Sequence, residues 1–160
     1  MPRQISIYNG PNLNLLGERE PEIYGAITLG SIEQNCLALA VSLGVEVDFR
    51  QTNHEGVMVD AIQEARRTSD ALIINPAGLS FHSVPVLDAL RLFGKPIIEL
   101  HLSNIHARDK DHRNSIMSSA ATGVICGLGA YGYTVAMLAA LRQLEPLGAD
   151  LPDAIATGPV

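Results

Sequence analysis

The chain has 160 residues, 47% of them hydrophobic and 18% charged, which suits one domain with a full core and excludes a disordered chain. A net charge of −6 with only two Lys argues against a nucleic-acid footprint, and the absence of Trp argues against a base-stacking platform. No apolar run reaches the roughly 18 residues that a membrane span needs. Low charge instead predicts apolar surface shared between copies, so we expect a homo-oligomer.

MPRQISIYNG runs directly into a first strand at residues 5–8, and we expect no signal or transit peptide ahead of it. Residues 9–25 follow, NGPNLNLLGEREPEIYG. Connections in compact domains are usually about 4–6 residues, and longer ones are lids or linkers. This one lacks the Ser/Lys/Gln bias of a linker and carries amide, guanidinium and phenol groups. It reads as an active-site lid. Thr28 then caps a helix with apolar residues at Leu29, Ile32, Cys36, Leu39 and Leu43, stopped by Gly44. Residues 45–49 alternate, Val45, Val47 and Phe49 against Glu46 and Asp48, as an edge strand with one wet face does. A second helix points Met58, Ile62 and Ala65 inward. Residues 71–74 are continuously apolar, a strand buried on both faces.

After a break at Asn75, Ser83 caps a helix with Pro85 in its first turn, ending at Gly94. Residues 96–100 form the fourth strand, 101–119 an irregular polar stretch with one helical turn, 124–126 the fifth strand and 133–144 the last helix. Cys36 and Cys126 lie in apolar segments without a CxxC, as buried thiols in a reducing cytoplasm would.

Five strand–helix alternations mean an α/β domain, a flavodoxin-like three-layer sandwich on a five-stranded parallel sheet of order 2-1-3-4-5. Residues 1–148 are expected to be one catalytic domain, and residues 149–160 a loose C-terminal tail. Ligands of such sheets bind beyond the carboxyl ends of the strands. The polar loops leaving strands one, three and four would converge there.

Residues 127–132 read GLGAYG, a G-x-G-x-x-G match with no further strand or acidic residue behind it. We read it as tight strand-to-helix packing rather than a dinucleotide site. No phosphate-cradling motif, nucleophile elbow or well-placed Lys occurs, and the histidines at 101, 106 and 112 fit surface positions better than a metal site. Acid–base chemistry remains. His101 with Glu99 behind it, Tyr24 with Arg19 as a cation to favour its phenolate, and the amides of Asn12 and Asn75 are the candidate groups.

Those residues sit in NGPNLNLLGEREPEIYG, FRQTNHEG, INPAG and ELHLSNIHAR, which closely resemble the type II 3-dehydroquinate dehydratases (type II dehydroquinases) without gaps over residues 5–142. The resemblance implies reversible trans-dehydration of 3-dehydroquinate to 3-dehydroshikimate through an enolate, with no metal or cofactor. It places such an enzyme in the shikimate pathway of aromatic amino-acid biosynthesis or in quinate catabolism. It also implies a dodecamer of four trimers in the cytoplasm, free of nucleic acid and membrane. Tyr24 then matches the base that removes the C2 proton, and Arg19 the residue favouring its phenolate. Asn12, through a water, matches the group on the enolate oxygen. His101, backed by Glu99, matches the acid for the departing C1 hydroxyl. Asn75, Leu102 and Ser103 match substrate contacts, the last two in a carboxylate-binding turn, and Asp88 an acid reaching a neighbouring subunit's site.

The family usually reads NPGAYTHTS where residues 75–83 here read NPAGLSFHS. Its substrate-binding His falls on Phe81, and a downstream Arg falls on His112. His82 and Arg113, each one place later, are the expected substrate contacts. Two other readings stay open: a paralogue dehydrating another cyclic hydroxy-keto acid, and a non-catalytic binding member.

Overall fold

Five short apolar segments become the strands of one parallel sheet: β1 (Arg3–Asn9), β2 (Val45–Gln51), β3 (Ala71–Asn75), β4 (Ile97–His101) and β5 (Gly123–Cys126). Their order is β2-β1-β3-β4-β5, and each neighbouring pair is parallel. The computed structural model describes residues 1–18, 22 and 26–144. The connecting helices are α1 (Leu29–Leu43), α2 (Glu55–Thr68), α3 (Val84–Phe93) and α4 (Tyr131–Leu144). The chain has the expected α/β, flavodoxin-like architecture.

Strand alternation sorts the core into two layers. Ile5, Ile7, Ile73 and Leu100 face α1 and α4, where Ile32, Cys36, Tyr133, Ala136 and Met137 meet them. Tyr8, Leu72, Ile74 and Ile97 face α2 and α3, against Met58, Ile62, Val86, Leu90 and Phe93. Each fully buried Leu, Ile or Met side chain contributes roughly 1.5–3 kcal/mol by transfer from water. The central strands β3 and β4 are buried at every residue. The alternating strand β2 is an edge, as its wet face predicts.

Local chemistry sets the helix ends. Ser31 N donates to Thr28 Oγ1 (3.2 Å), and Gly44 closes α1 at φ 67°. Ser83 Oγ accepts from Val86 N (3.2 Å) and donates to Glu55 Oε2 (2.7 Å), joining the starts of α2 and α3. Gly132 packs α4 onto β4, since a Cβ there would sit 2.8 Å from Leu100 Cδ1. Close packing, the reading favoured for residues 127–132, is what this stretch supplies.

Three expectations need correction. The stretch after β4 is not one helical turn but three 3-10 turns, Ile105–Ala107, Lys110–His112 and Ile116–Ala120, capped by Asn104, Asp109 and Ser115. Each cap side chain takes a backbone N–H two residues on, so no helix can propagate through them. Cys126 is half-buried rather than enclosed, because β5 is the other edge strand. The last helix begins at Tyr131, two residues early. The tail at 149–160 and the boundary at 148 lie outside the described residues, as do Arg19 and Tyr24.

Candidate active site

The loops leaving β1, β3 and β4 meet beyond the carboxyl ends of those strands, around a cleft of about 180 Å³. Pro11, Asn12, Leu13 and Leu16 line it from the first loop. Asn75, Ala77, Gly78 and Phe81 line it from the second, and His101, Leu102, Ser103, Ile105, Arg108 and His112 from the third. That volume is below the about 300–1,000 Å³ of drug-sized pockets, so the cleft suits a small polar metabolite.

The first loop is held by the second strand. At Gly10 a Cβ would lie 2.3 Å from the Pro76 carbonyl oxygen, so only glycine lets the β1 and β3 loops touch. Asn12 takes φ 69°, a left-handed conformation that Asn tolerates. Its backbone N donates to Asn53 Oδ1 (2.9 Å), and Gln51 Nε2 donates to the same oxygen (3.0 Å) and to the Gly10 carbonyl (3.2 Å). The Asn12 backbone is thereby fixed at the lip. Its supports Gln51 and Asn53 come from FRQTNHEG, where nothing but the motif itself marked them.

Asn75 ends β3 almost fully buried. Its Nδ2 donates to Tyr133 Oη (3.1 Å), and Tyr133 donates to Asn9 Oδ1 (2.6 Å). Burial holds the Tyr133 phenol well above its usual range, so it stays a protonated donor. One Asn75 N–H is thus committed behind the cleft. Tyr133 lies 58 residues away, and no sequence signal paired the two.

His101 ends β4 with 4% exposure, and its Nε2 lies 3.1 Å from Glu99 Oε1. Residues two apart on a strand share a face, which is why these two meet. With Nε2 on the carboxylate, Nδ1 is the ring nitrogen left for the cleft. Glu99 is fully buried, and it also accepts from Ser115 Oγ and from Ser118 Oγ (2.5 Å). Burial by itself drives the Glu99 carboxyl up. The bonds from His101, Ser115 and Ser118 outweigh it and hold the group below the usual carboxylate range. Past His101 the chain turns through Leu102 and Ser103, pinned by Gly127 N to the His101 carbonyl (3.3 Å) and Gly129 N to the Leu102 carbonyl (2.9 Å).

The far wall differs from expectation. Phe81 and His112 line the cleft and pack edge to face, with ring centroids 5.5 Å apart. His82 and Arg113 are exposed and lie outside the lining. Both loops are 3-10 turns, Ala77–Phe81 and Lys110–His112, where three residues make a turn. A residue one place later therefore points about 120° away. His112 Nδ1 lies 2.9 Å from Asp109, and that bond holds the Asp109 carboxyl below its usual range. Ala77, beside Phe81, adopts φ 50°, strained for a residue with a Cβ. Asp88 is exposed on α3, away from this cleft. Arg108, the last residue of ELHLSNIHAR, also lines the cleft.

The family model described as "Dehydroquinase class II" matches residues 3–141. A 3-dehydroquinate dehydratase of Caulobacter vibrioides is 51% identical over 145 residues, 91% of this chain and 99% of the relative. A "Catabolic 3-dehydroquinase 1" of Neosartorya fischeri is 50% identical over 86% of this chain and 91% of its own length. The crystal structure of a type II dehydroquinase from Propionibacterium acnes superposes with a TM-score of 0.83 at 40% identity, covering 86% of this chain and 95% of that one.

Proposed function

The chain belongs to the class II dehydroquinase family, and we propose on that footing a mechanism and a set of working residues for it. It is a lyase that dehydrates 3-dehydroquinate to 3-dehydroshikimate. The observation that carries the mechanism is the buried His101–Glu99 pair, with Nε2 on the carboxylate and the ring lining a cleft built at the strand ends.

In the proposed reaction the Tyr24 phenolate, favoured by the Arg19 cation, removes the C2 proton. The electron pair moves into an enolate, whose oxygen Asn12 supports through a water. The pair then returns to form the C1–C2 double bond as the C1–O bond breaks. His101 supplies the proton that lets the hydroxyl leave as water. In this step His101 acts as the imidazolium, with Nε2–H held on Glu99 and Nδ1–H given to the leaving hydroxyl. Asn75 and the turn at Leu102 and Ser103 bind the substrate, the turn taking its carboxylate. We assign the remaining grip to Arg108 and His112, which line the cleft, rather than to His82 and Arg113.

No metal or cofactor enters this scheme, and dialysis against a chelator is expected to leave the rate unchanged. The expected product absorbs as a conjugated enone, so purified protein should raise that absorbance from 3-dehydroquinate. No rise would overturn the mechanism. Tyr24→Phe should abolish turnover while substrate still binds by calorimetry; full activity would remove Tyr24 from the role of base.

Asp88, exposed on α3, is proposed to reach the site of a neighbouring subunit in a dodecamer of four trimers. Native mass spectrometry would give that mass, and a monomer would refute it. The proposed site of action is the cytoplasm, with Cys36 and Cys126 free thiols. No helix among the described residues is long and apolar enough to cross a membrane. A truncation after residue 148 is proposed to retain full activity.

A further inference from the structure

We propose that Ser115 and Ser118 are positioning residues for the acid: their hydroxyls hold the buried Glu99 carboxylate, as an anion, against His101 Nε2. The inference rests on the reading of His101 as the acid. Its geometry is independent of any substrate.

A carboxylate with no solvent contact is unstable as an anion unless donors replace its lost water. Glu99 has three donors. His101 and Ser115 reach Oε1, and Ser118 reaches Oε2, so both oxygens are occupied. The serines come from a 3-10 turn, 16 and 19 residues further along the chain. That turn is itself anchored. Met117 is fully buried beneath it, and Ser115 Oγ accepts from Met117 N (3.2 Å), so one hydroxyl both caps the turn and donates to the carboxylate.

Among the described residues His101 is the one titratable group that acts on the Glu99 carboxyl. Ile74 of β3 and Val124 of β5 flank it in the sheet. From α3, Arg91 donates to Ser119 Oγ (3.5 Å) on the covering turn. Among the described residues no Lys or Arg is a donor to this carboxylate. The two serines therefore decide between two placements of one proton. With both hydroxyls donating, the shared proton stays on Nε2, and the Nδ1–H that faces the leaving hydroxyl is that of an imidazolium. Without them the Nε2 proton moves onto Glu99, and the neutral imidazole keeps its Nδ1–H but is a far weaker acid toward the leaving hydroxyl.

Ser118→Ala is the cleaner test, since Ser115 also caps its turn, and Ser118→Thr is the variant that restores a donor. Carboxyl-carbon NMR of Glu99 in the full chain needs no substrate. The Ser118→Ala midpoint should rise by about one pH unit, a tenfold change in the ionisation constant. The low-pH limb of kcat for 3-dehydroquinate should rise in step, with kcat down about tenfold and KM within twofold. Ser118→Thr should restore midpoint and limb. An unmoved midpoint with only a lower melting temperature would make the serines packing residues and overturn the proposal. So would a shifted midpoint that leaves kcat and its low-pH limb in place. Should His101→Asn turn over substrate as fast as the parent, the acid assignment itself fails, and the carboxyl titration still reports on the serines separately.

Discussion

Two His–carboxylate pairs each contribute a ring to the same cleft, with nearly the same pair distance. His101 and Glu99 lie 3.1 Å apart, and His112 and Asp109 lie 2.9 Å apart. The first pair is buried on a central strand, with side chains 5% and 0% exposed. The second sits on a 3-10 turn, 42% and 58% exposed. Water and salt screen the second pair, and Asp109 is shared with the backbone N–H of Asp111 (2.9 Å). Similar chemistry therefore does different work. The buried pair can hold a proton in a chosen place, whereas the exposed one can only bias a ring orientation.

The largest expected effect comes from removing the buried imidazole. His101→Ala should lower kcat about 10³-fold, within the range general acid catalysis supplies, with KM little changed. The same change at His112 should act mainly on KM, and a reversal of that split would end the comparison. A second consequence concerns pH. The folded Glu99 carboxyl lies below its unfolded value of about 4.3, so its contribution to stability is complete above that value. It is lost as pH falls through the lower, folded value. Denaturant unfolding at pH 7 and pH 3 should therefore show Glu99→Gln losing less stability on acidification than the parent. An equal loss in both would mean that the buried pair does not depend on ionised Glu99.

Smaller effects belong to the exposed wall. Ala77→Gly should stabilise the protein by about 1 kcal/mol, because glycine relieves the φ of 50° at the cost of some chain entropy. A melting point raised by about 2–4 °C is the expected reading. A lower melting point would show that the turn beside Phe81 is unstrained. Asp109→Asn should do least, changing KM less than about threefold, with the difference vanishing in high salt. A large change in kcat there would place the exposed pair on a level with the buried one.

Much of this was readable from residue order. The parallel sheet, its edge strand and the caps at Thr28 and Ser83 follow from periods and local hydrogen bonding, which act over a few residues. The stretch at residues 9–25 stands out because it is long and polar, and Tyr24 with Arg19 is a candidate base and cation on residue chemistry, to which the resemblance adds the C2 proton as target. His101 with Glu99 was legible because strand geometry puts residues two apart on one face. The far wall was the least legible part: His82 and Arg113 were the expected contacts, and Phe81 and His112 are the residues that line the cleft. A motif offset suggested that His82 and Arg113 could take over, but a 3-10 turn changes a side chain's direction by about a third of a rotation per residue.

By itself the sequence determined the layered α/β fold, the rim where the site lies and the acid–base character of its groups, since these depend on local periodicity and on residue chemistry. Only the tertiary structure decided that Nε2 of His101 meets Glu99, that Tyr133 holds Asn75, and that Phe81 and His112 line the cleft. It alone brought Ser115 and Ser118 onto Glu99. Such contacts join residues far apart in the chain, and burial then turns them into control over a proton.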